Sequence, residues 1–290
     1  VKPYAFDGQT AVVTGAANGL GAALAGALAE RGSSLALVDR DSAGLQRVVT
    51  AIGAAHPRLN VTAHHADFSE IDDFRGLADE IRRDHPRIGL LVNNAGVALG
   101  GRVEEVSMAD IDWIMTINFR SPVALVKQFL PDLRANPGSH IANISSLFGL
   151  IAPAGQASYS ASKFAIRGFT LALQAELIPA GIGVTVVRPG GIATNIAKNA
   201  RVGGAGSVNQ AEVDAARNRI GAMLTMLRKL PPPRFWRPSN GGGSAWLSLA
   251  APSSPIESFG SCPCASGASS TARWTAESMD RHHGKPKTKD

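Results

Sequence analysis

The chain has 290 residues, 44% of them hydrophobic and 18% charged, which is enough apolar material for one large core and leads us to expect one domain. No run of about 20 uncharged apolar residues exists, so no segment reads as a membrane-spanning helix. The net charge of +6 first points to nucleic acid, but residues 227–290 hold nine Lys and Arg against four Asp and Glu, leaving 20 against 19 in residues 1–226. The body of the chain thus lacks the basic patch that a polyanion needs, and no nucleic-acid partner is expected.

Residues Val1–Asp7 lack the basic-then-apolar pattern of a secretory signal, so a cytoplasmic protein is expected. Strand-like apolar runs then alternate with amphipathic helical segments. The strands are expected at Ala11–Thr14, Leu35–Val38, Asn60–His64, Leu90–Asn93, His140–Ile144 and Gly183–Val187, short and rich in Val, Ile, Leu and Ala, as strands covered on both faces are. Helices are expected over Leu20–Arg31, Ala43–Ala54, Ile71–Asp84, Met108–Leu133 and Ser158–Ile178. Repeated strand–helix units joined by right-handed crossovers make an α/β fold, a doubly wound parallel sheet with helices on both faces.

The first strand runs into Thr14-Gly15-Ala16-Ala17-Asn18-Gly19-Leu20-Gly21, where a helix begins. Glycines permit a tight turn and close backbone approach to a diphosphate, and the helix N-terminus offers free N–H groups and the positive end of its dipole. Asp39, at the end of the second strand and about 20 residues on, is placed to accept hydrogen bonds from ribose hydroxyls. Its charge favours NAD, because a 2′-phosphate would meet an anion; the adjacent Arg40 pulls the other way, and on balance NAD is expected over NADP. Further along, Tyr159 and Lys163 lie four residues apart on one helix face, side by side. A free phenol has a pKa near 10, and a fixed cation is expected to lower it and make Tyr159 a general acid/base. Ser146, thirteen residues upstream, is positioned to hydrogen-bond a substrate oxygen.

The Thr-Gly-x-x-x-Gly-x-Gly spacing, followed by Tyr-x-x-x-Lys, resembles the compact branch of the short-chain dehydrogenase/reductase family over roughly Phe6–Leu224. That resemblance implies a Rossmann-like fold and an NAD(P)-dependent oxidoreductase. It assigns Asp67, with Phe68 beside it, to the adenine end, and Asn93-Asn94-Ala95-Gly96 to a segment that steadies the sheet and borders the cofactor. It assigns Pro189, Gly190, Ile192 and Thr194 to the nicotinamide, and Ser146, not Ser145, to the catalytic serine. Asn118 takes the position that holds a proton-relay water against the lysine. Hydride would pass between the substrate carbon and the nicotinamide, with Tyr159 handling the alcohol proton and Lys163 bonding the nicotinamide ribose. The substrate is expected to be a low-polarity secondary alcohol or ketone, facing Ser146, Leu147, Phe148, Ala154, Gln156, Tyr159 and Gly191. Met223, Leu224, Met226 and Leu227 read as an amphipathic helix on the core or as a lid. Family members pair through helices such as Met108–Leu133 and Ser158–Ile178, so a homo-oligomer, at least a dimer, is expected.

From Leu227 the character changes to Pro231-Pro232-Pro233, Gly241-Gly242-Gly243, serine runs, three of the four tryptophans and eight of the 17 prolines. No helical or strand period persists there. Domain bounds of 1–226 (catalytic) and 227–290 (irregular tail) follow, and the seventh strand that the resemblance implies is missing. The tail reads either as a disordered appendage or as out of frame: with GC-rich codons, a two-base shift across residues 227–243 encodes an Ala- and Glu-rich helix ending in arginines. Cys262-Pro263-Cys264 lacks the further ligands of a zinc site, and no metal is expected. The alternative to an active enzyme is a nucleotide-binding or scaffolding homologue impaired by this C-terminus.

Overall fold

The computed structural model describes residues 3–70, 72–189, 196, 199–203, 215 and 218. The six expected strands form one parallel sheet: β1 (Thr10–Thr14), β2 (Ser34–Asp39), β3 (Val61–His65), β4 (Ile88–Asn93), β6 (His140–Ile144) and β7 (Gly183–Val187), in the order β3-β2-β1-β4-β6-β7. Between β4 and β6 lies a two-residue strand, β5 (Leu99–Gly100), which pairs in parallel with β8 (Arg201–Val202). Alternation along the strands divides the core in two. Val12, Ala36, Val38 and Leu91 face Leu77, Phe129 and Leu173 from α3 (Phe74–Asp84), α5 (Ser121–Ala135) and α6 (Ala157–Leu177). Ala11, Val13, Leu35 and Leu37 face Ala25, Leu28, Leu45 and Ile52 from α1 (Gly19–Ala29) and α2 (Ser42–Ala55). Side chains on successive residues point to opposite faces, so strands that are apolar at every position can only sit between two helical layers.

Two helices differ from the sequence expectation. α3 begins at Phe74 because the Asp73 side chain caps it, accepting a hydrogen bond from the Gly76 amide at 2.8 Å. The segment expected as one helix over Met108–Leu133 is α4 (Met108–Met115), then a π-turn over Thr116–Arg120, then α5. Pro122 has no N–H for the Asn118 carbonyl, so the α register cannot continue there. The wider turn is fastened by Ser121, whose amide and hydroxyl both donate to the Thr116 carbonyl, the hydroxyl at 2.8 Å. One extra residue in the turn leaves Asn118 buried beneath the sheet's C-terminal edge. The expected lid residues 223–227, the tail 227–290 and the question of a seventh strand lie outside the described residues.

The strand order reverses between β1 and β4: β2 and β3 extend one way from β1, and β4, β6 and β7 the other. Loops leaving the carboxyl ends of β1 and β4 therefore diverge, and a crevice opens between them.

Candidate active site

The groove in that crevice is long and mixed in character. One end is formed by Gly15, Asn18, Gly19, Leu20, Asp39 and Arg40, with Ala66, Asp67 and Phe68. Asn94–Ala98 makes the floor, and Ser145, Ser146, Tyr159, Lys163 and Pro189 close the far end. Most residues singled out from the sequence therefore share one continuous surface, although 145 residues separate Asn18 from Lys163.

The glycine turn is shaped by contacts that no side chain would permit. Gly15 has φ +65°, and a Cβ there would lie 2.8 Å from the Ala95 Cα; a Cβ on Gly21 would collide with the Gly15 carbonyl. Gly21 is thus beneath the turn and not on the groove wall. Asn94 ties the turn to β4: its Nδ2 donates to the Thr14 and Gly15 carbonyls at 2.9 and 3.0 Å, and the Thr14 hydroxyl accepts from the Asn94 and Ala95 amides, each at 3.0 Å. Asn18, the N-cap of α1, makes no side-chain cap, and the first turn contains no acidic residue. The amides of that first turn lack intrahelical partners, so a diphosphate fits the cradle.

At the neighbouring end, the Asp39 carboxylate accepts from the Ala17 amide at 2.9 Å and the Asp41 amide at 3.0 Å, which fixes it beside the turn. Arg40 leans away to Asp67, 3.7 Å apart. Burial raises the Asp67 carboxyl, but Ser69, donating through amide and hydroxyl, and Arg40 outweigh it and hold the group below its ordinary value.

At the far end, Tyr159 and Lys163 are both buried on α6. The Lys163 Nζ lies 5.8 Å from the centre of the Tyr159 ring and donates to the Ile144 carbonyl at 3.2 Å. Burial pushes the Tyr159 phenol up, opposed by a hydrogen bond with the Ser146 side chain, and it brings the Lys163 ammonium down to about 8. Burial is the largest effect on the phenol, and Ser146 is the group that draws it down. Ser145 is committed elsewhere: its hydroxyl donates to the Lys163 carbonyl at 2.8 Å, in a contact so close that a Cβ on Gly149 would strike it. Gly96 leaves room for the ammonium, since a Cβ there would stand 3.2 Å from Lys163 Nζ and 3.3 Å from Asn118 Oδ1.

Asn118 lies behind the groove wall. Its Oδ1 accepts from the Val97 amide at 2.9 Å, and its Nδ2 donates to the Val97 carbonyl and Ser162 hydroxyl, each at 3.0 Å. Its side chain clamps the loop after β4 to α6, so any role in holding a water would fall to its main chain. Phe148 and Gln156 are also buried off the wall, Phe148 as an edge-on support 5.8 Å from the Tyr159 ring. Leu147 and Ala154 do not line the groove either. Gly190, Gly191, Ile192 and Thr194 lie outside the described residues. Val97, Ala98, Trp113, Ile117, Ile196 and Asn199 line the groove unannounced by any motif. All but Asn199 are apolar, and in helical or loop positions such residues look like core until the fold turns them toward the crevice.

A nucleotide-cradling turn at a sheet's switch point, sharing one groove with a buried Tyr–Lys–Ser centre, defines a dinucleotide-fold protein equipped to move a proton. A family model described as short chain dehydrogenase matches residues 9–203. SadH of Mycobacterium tuberculosis, described provisionally as an oxidoreductase, is 43% identical over 202 residues, 68% of this chain and 71% of that protein. Dehydrogenase/reductase SDR family member 7B of Xenopus laevis is 36% identical over 66% of this chain, and the chain spans 61% of its length. Among solved structures, a short chain dehydrogenase/reductase from Burkholderia phymatum in complex with NAD superposes with a TM-score of 0.68 at 32% identity, over 77% of this chain and 81% of that one. A metagenomic short-chain oxidoreductase in complex with NADP gives 0.60 at 35%, over 66% and 86%. The chain belongs to the short-chain dehydrogenase/reductase family of oxidoreductases. Among the described residues, no helix is long and apolar enough to cross a membrane and no cluster of His, Cys, Asp or Glu is arranged to hold a metal ion.

Proposed function

We propose that this protein interconverts a low-polarity secondary alcohol and its ketone with a nicotinamide dinucleotide, NAD in preference to NADP, and that Tyr159 is the general acid/base. The observation that carries the reading is the buried Tyr159 phenol, which shares the inner end of the groove with Ser146 and Lys163 while the glycine turn forms the outer end. Bound there, the nicotinamide would supply the hydride acceptor or donor. Glycine-turn amides would hold the diphosphate, Asp39 the adenosine ribose, and Asp67 and Phe68 would border the adenine. Pro189 and the segment after it would border the nicotinamide.

Tyr159, with its proton held tightly by burial, is suited to deliver that proton to a carbonyl oxygen in reduction and to receive it back in oxidation. Ser146 donates to the same oxygen as charge grows there, so the phenol and serine hydroxyls together fix the substrate. Lys163 supplies positive charge under the ribose and the phenol, favouring the phenolate when the proton leaves. Asn118 holds the Val97 loop and α6 at a fixed spacing, which keeps Lys163 in place. The apolar wall of Val97, Ala98, Trp113 and Ile196 supports a substrate of low polarity. Asp39 supports NAD, because both of its oxygens are anchored beside the turn and a 2′-phosphate would meet a fixed anion. Assembly at least as a dimer is supported by the outer face of α6, where exposed Phe164 and Leu171 are spaced among Ala161, Gly168 and Ala175 without a charge.

The test is turnover of a panel of secondary alcohols and ketones followed at 340 nm with each cofactor, for the native protein and Tyr159→Phe. The variant should bind NADH as the native protein does and lose about 100-fold or more in kcat. Equal turnover by the variant on every substrate would refute the assignment.

A further inference from the structure

The short β5–β8 pair brings Arg201, from far along the chain, against Trp113, a residue that lines the groove. Trp113, on α4, lines the groove and packs against the apolar cluster that contains Tyr159, Phe148, Ala98 and Ala200. The Arg201 guanidinium stacks on the indole at 3.8 Å from the ring centre. At this distance the cation, lying over the ring, is attracted by the ring's negative face. Arg201 is held in turn by Asp110, with Nη1 2.9 Å from Oδ1. Asp110 is itself fixed at the start of α4: it accepts from the Ser107 hydroxyl at 2.7 Å through Oδ2, and its amide donates to Ser107 at 3.1 Å. Burial acts upward on the Asp110 carboxyl, but Ser107 and Arg201 outweigh it and leave the group below its ordinary value, ionised opposite the guanidinium at neutral pH.

The backbone beneath Arg201 is equally constrained. Its amide donates to the Ala98 carbonyl at 3.0 Å, and the Gly203 amide donates to the Gly100 carbonyl at 2.8 Å. A Cβ on Gly203 would lie 2.8 Å from the Glu105 carbonyl, so this strand lies tightly against the turn before α4. Ile196 and Asn199, just ahead of it, line the same groove. The indole is therefore gripped between its own helix and a stacked, ion-paired guanidinium, and it cannot easily swing out of the way.

We propose that Trp113 is the residue that sets substrate size in this groove, and that Arg201 is its positioning residue, holding the indole as a fixed wall on the substrate side. The proposal deepens the alcohol–ketone reading above. Mobile apolar walls accommodate ligands of many shapes, whereas a clamped ring discriminates by the space it leaves.

Two ketones of different bulk, acetophenone and 2-acetylnaphthalene, are the probes. Their binding to the full chain saturated with NADH is read by saturation-transfer NMR, and their reduction at 340 nm. Native protein should favour acetophenone. Trp113→Ala should shift the binding ratio toward the naphthyl ketone by about tenfold, with Trp113→Phe close to native. Arg201→Ala should shift it the same way by about threefold with kcat for acetophenone little changed, and Arg201→Lys should restore the native ratio, since an ammonium can both stack and pair with Asp110. Should Arg201→Ala fail to fold, Asp110→Asn must produce the same shift. An unchanged ratio in Trp113→Ala, or binding of neither ketone, overturns the proposal; a shift in Trp113→Ala but none in the Arg201 or Asp110 variants overturns the role of Arg201. The binding ratio reads the wall even if turnover is absent, whereas loss of turnover in native protein with the ratio intact would strike the alcohol–ketone reading alone.

Discussion

Acid should unfold this protein through two histidines that take no part in the proposed chemistry. His85, at the end of α3, has a pKa lowered to about 4 by burial and then by neighbouring His64, against a smaller upward effect of Asp84; His140, on β6, is lowered to about 4 by burial. Both rings are engaged while neutral: His85 through Thr62 at 2.8 Å and Thr10 at 3.2 Å, and His140 through Thr185 at 2.8 Å. Unfolded histidine takes up its proton near pH 6.5, so between about 6.5 and 4 the unfolded chain binds the proton and the folded chain does not. Stability is full above that window and falls as pH drops through it. Each histidine multiplies the unfolding constant by up to tenfold per pH unit, amounting to about 3 kcal/mol each by the acid end. Against a typical total of about 5–15 kcal/mol, the pair removes much of the margin near pH 4. Urea unfolding followed by near-ultraviolet circular dichroism between pH 4.5 and 7.5 measures the slope. His140→Gln, which can still bond Thr185, should roughly halve it. A flat profile across that window, or a slope untouched by His85→Gln and His140→Gln together, would refute the reasoning.

Lys163→Met should raise stability at pH 7 by about 2 kcal/mol while cutting turnover sharply, because the native protein buries an ammonium whose pKa burial brings down to about 8; thermal melts alongside the 340 nm assay check both halves. Native stability should itself rise as pH climbs from about 8 toward 10.5, where the unfolded lysine still holds its proton and the folded one does not. Gly15→Ala should weaken NADH binding at least tenfold and lower the melting temperature, because a Cβ at φ +65° and 2.8 Å from the Ala95 Cα must displace the turn; titration of NADH fluorescence is the measurement.

Much of this architecture was legible in local pattern. The central strands β1, β2 and β4 are contiguous, largely apolar runs whose burial on both faces leaves no alternation to confuse with a helix, whereas the edge strand β3, Val-Thr-Ala-His-His, is mostly only partly buried. His140–Ile144 and Gly183–Val187 match residue for residue. The glycine turn was legible because its function depends on backbone geometry that only glycine permits. The π-turn was not, since its cause is a missing hydrogen bond at Pro122 set against an otherwise continuous helical pattern. The β5–β8 pair has two residues per strand and no periodicity to detect.

What the sequence by itself determined is the inventory: which strands and helices form, which turn can cradle a phosphate, and which phenol has a lysine beside it. These are local properties of spacing and residue type. Tertiary structure alone decided the environment of those groups. It buried Tyr159 enough to raise its pKa, turned Asn118 into a clamp on Val97, sent Arg40 to Asp67, and stacked Arg201 on Trp113 across 88 residues of chain. Desolvation and packing depend on atoms brought together from the whole chain, and no window of neighbouring residues contains them.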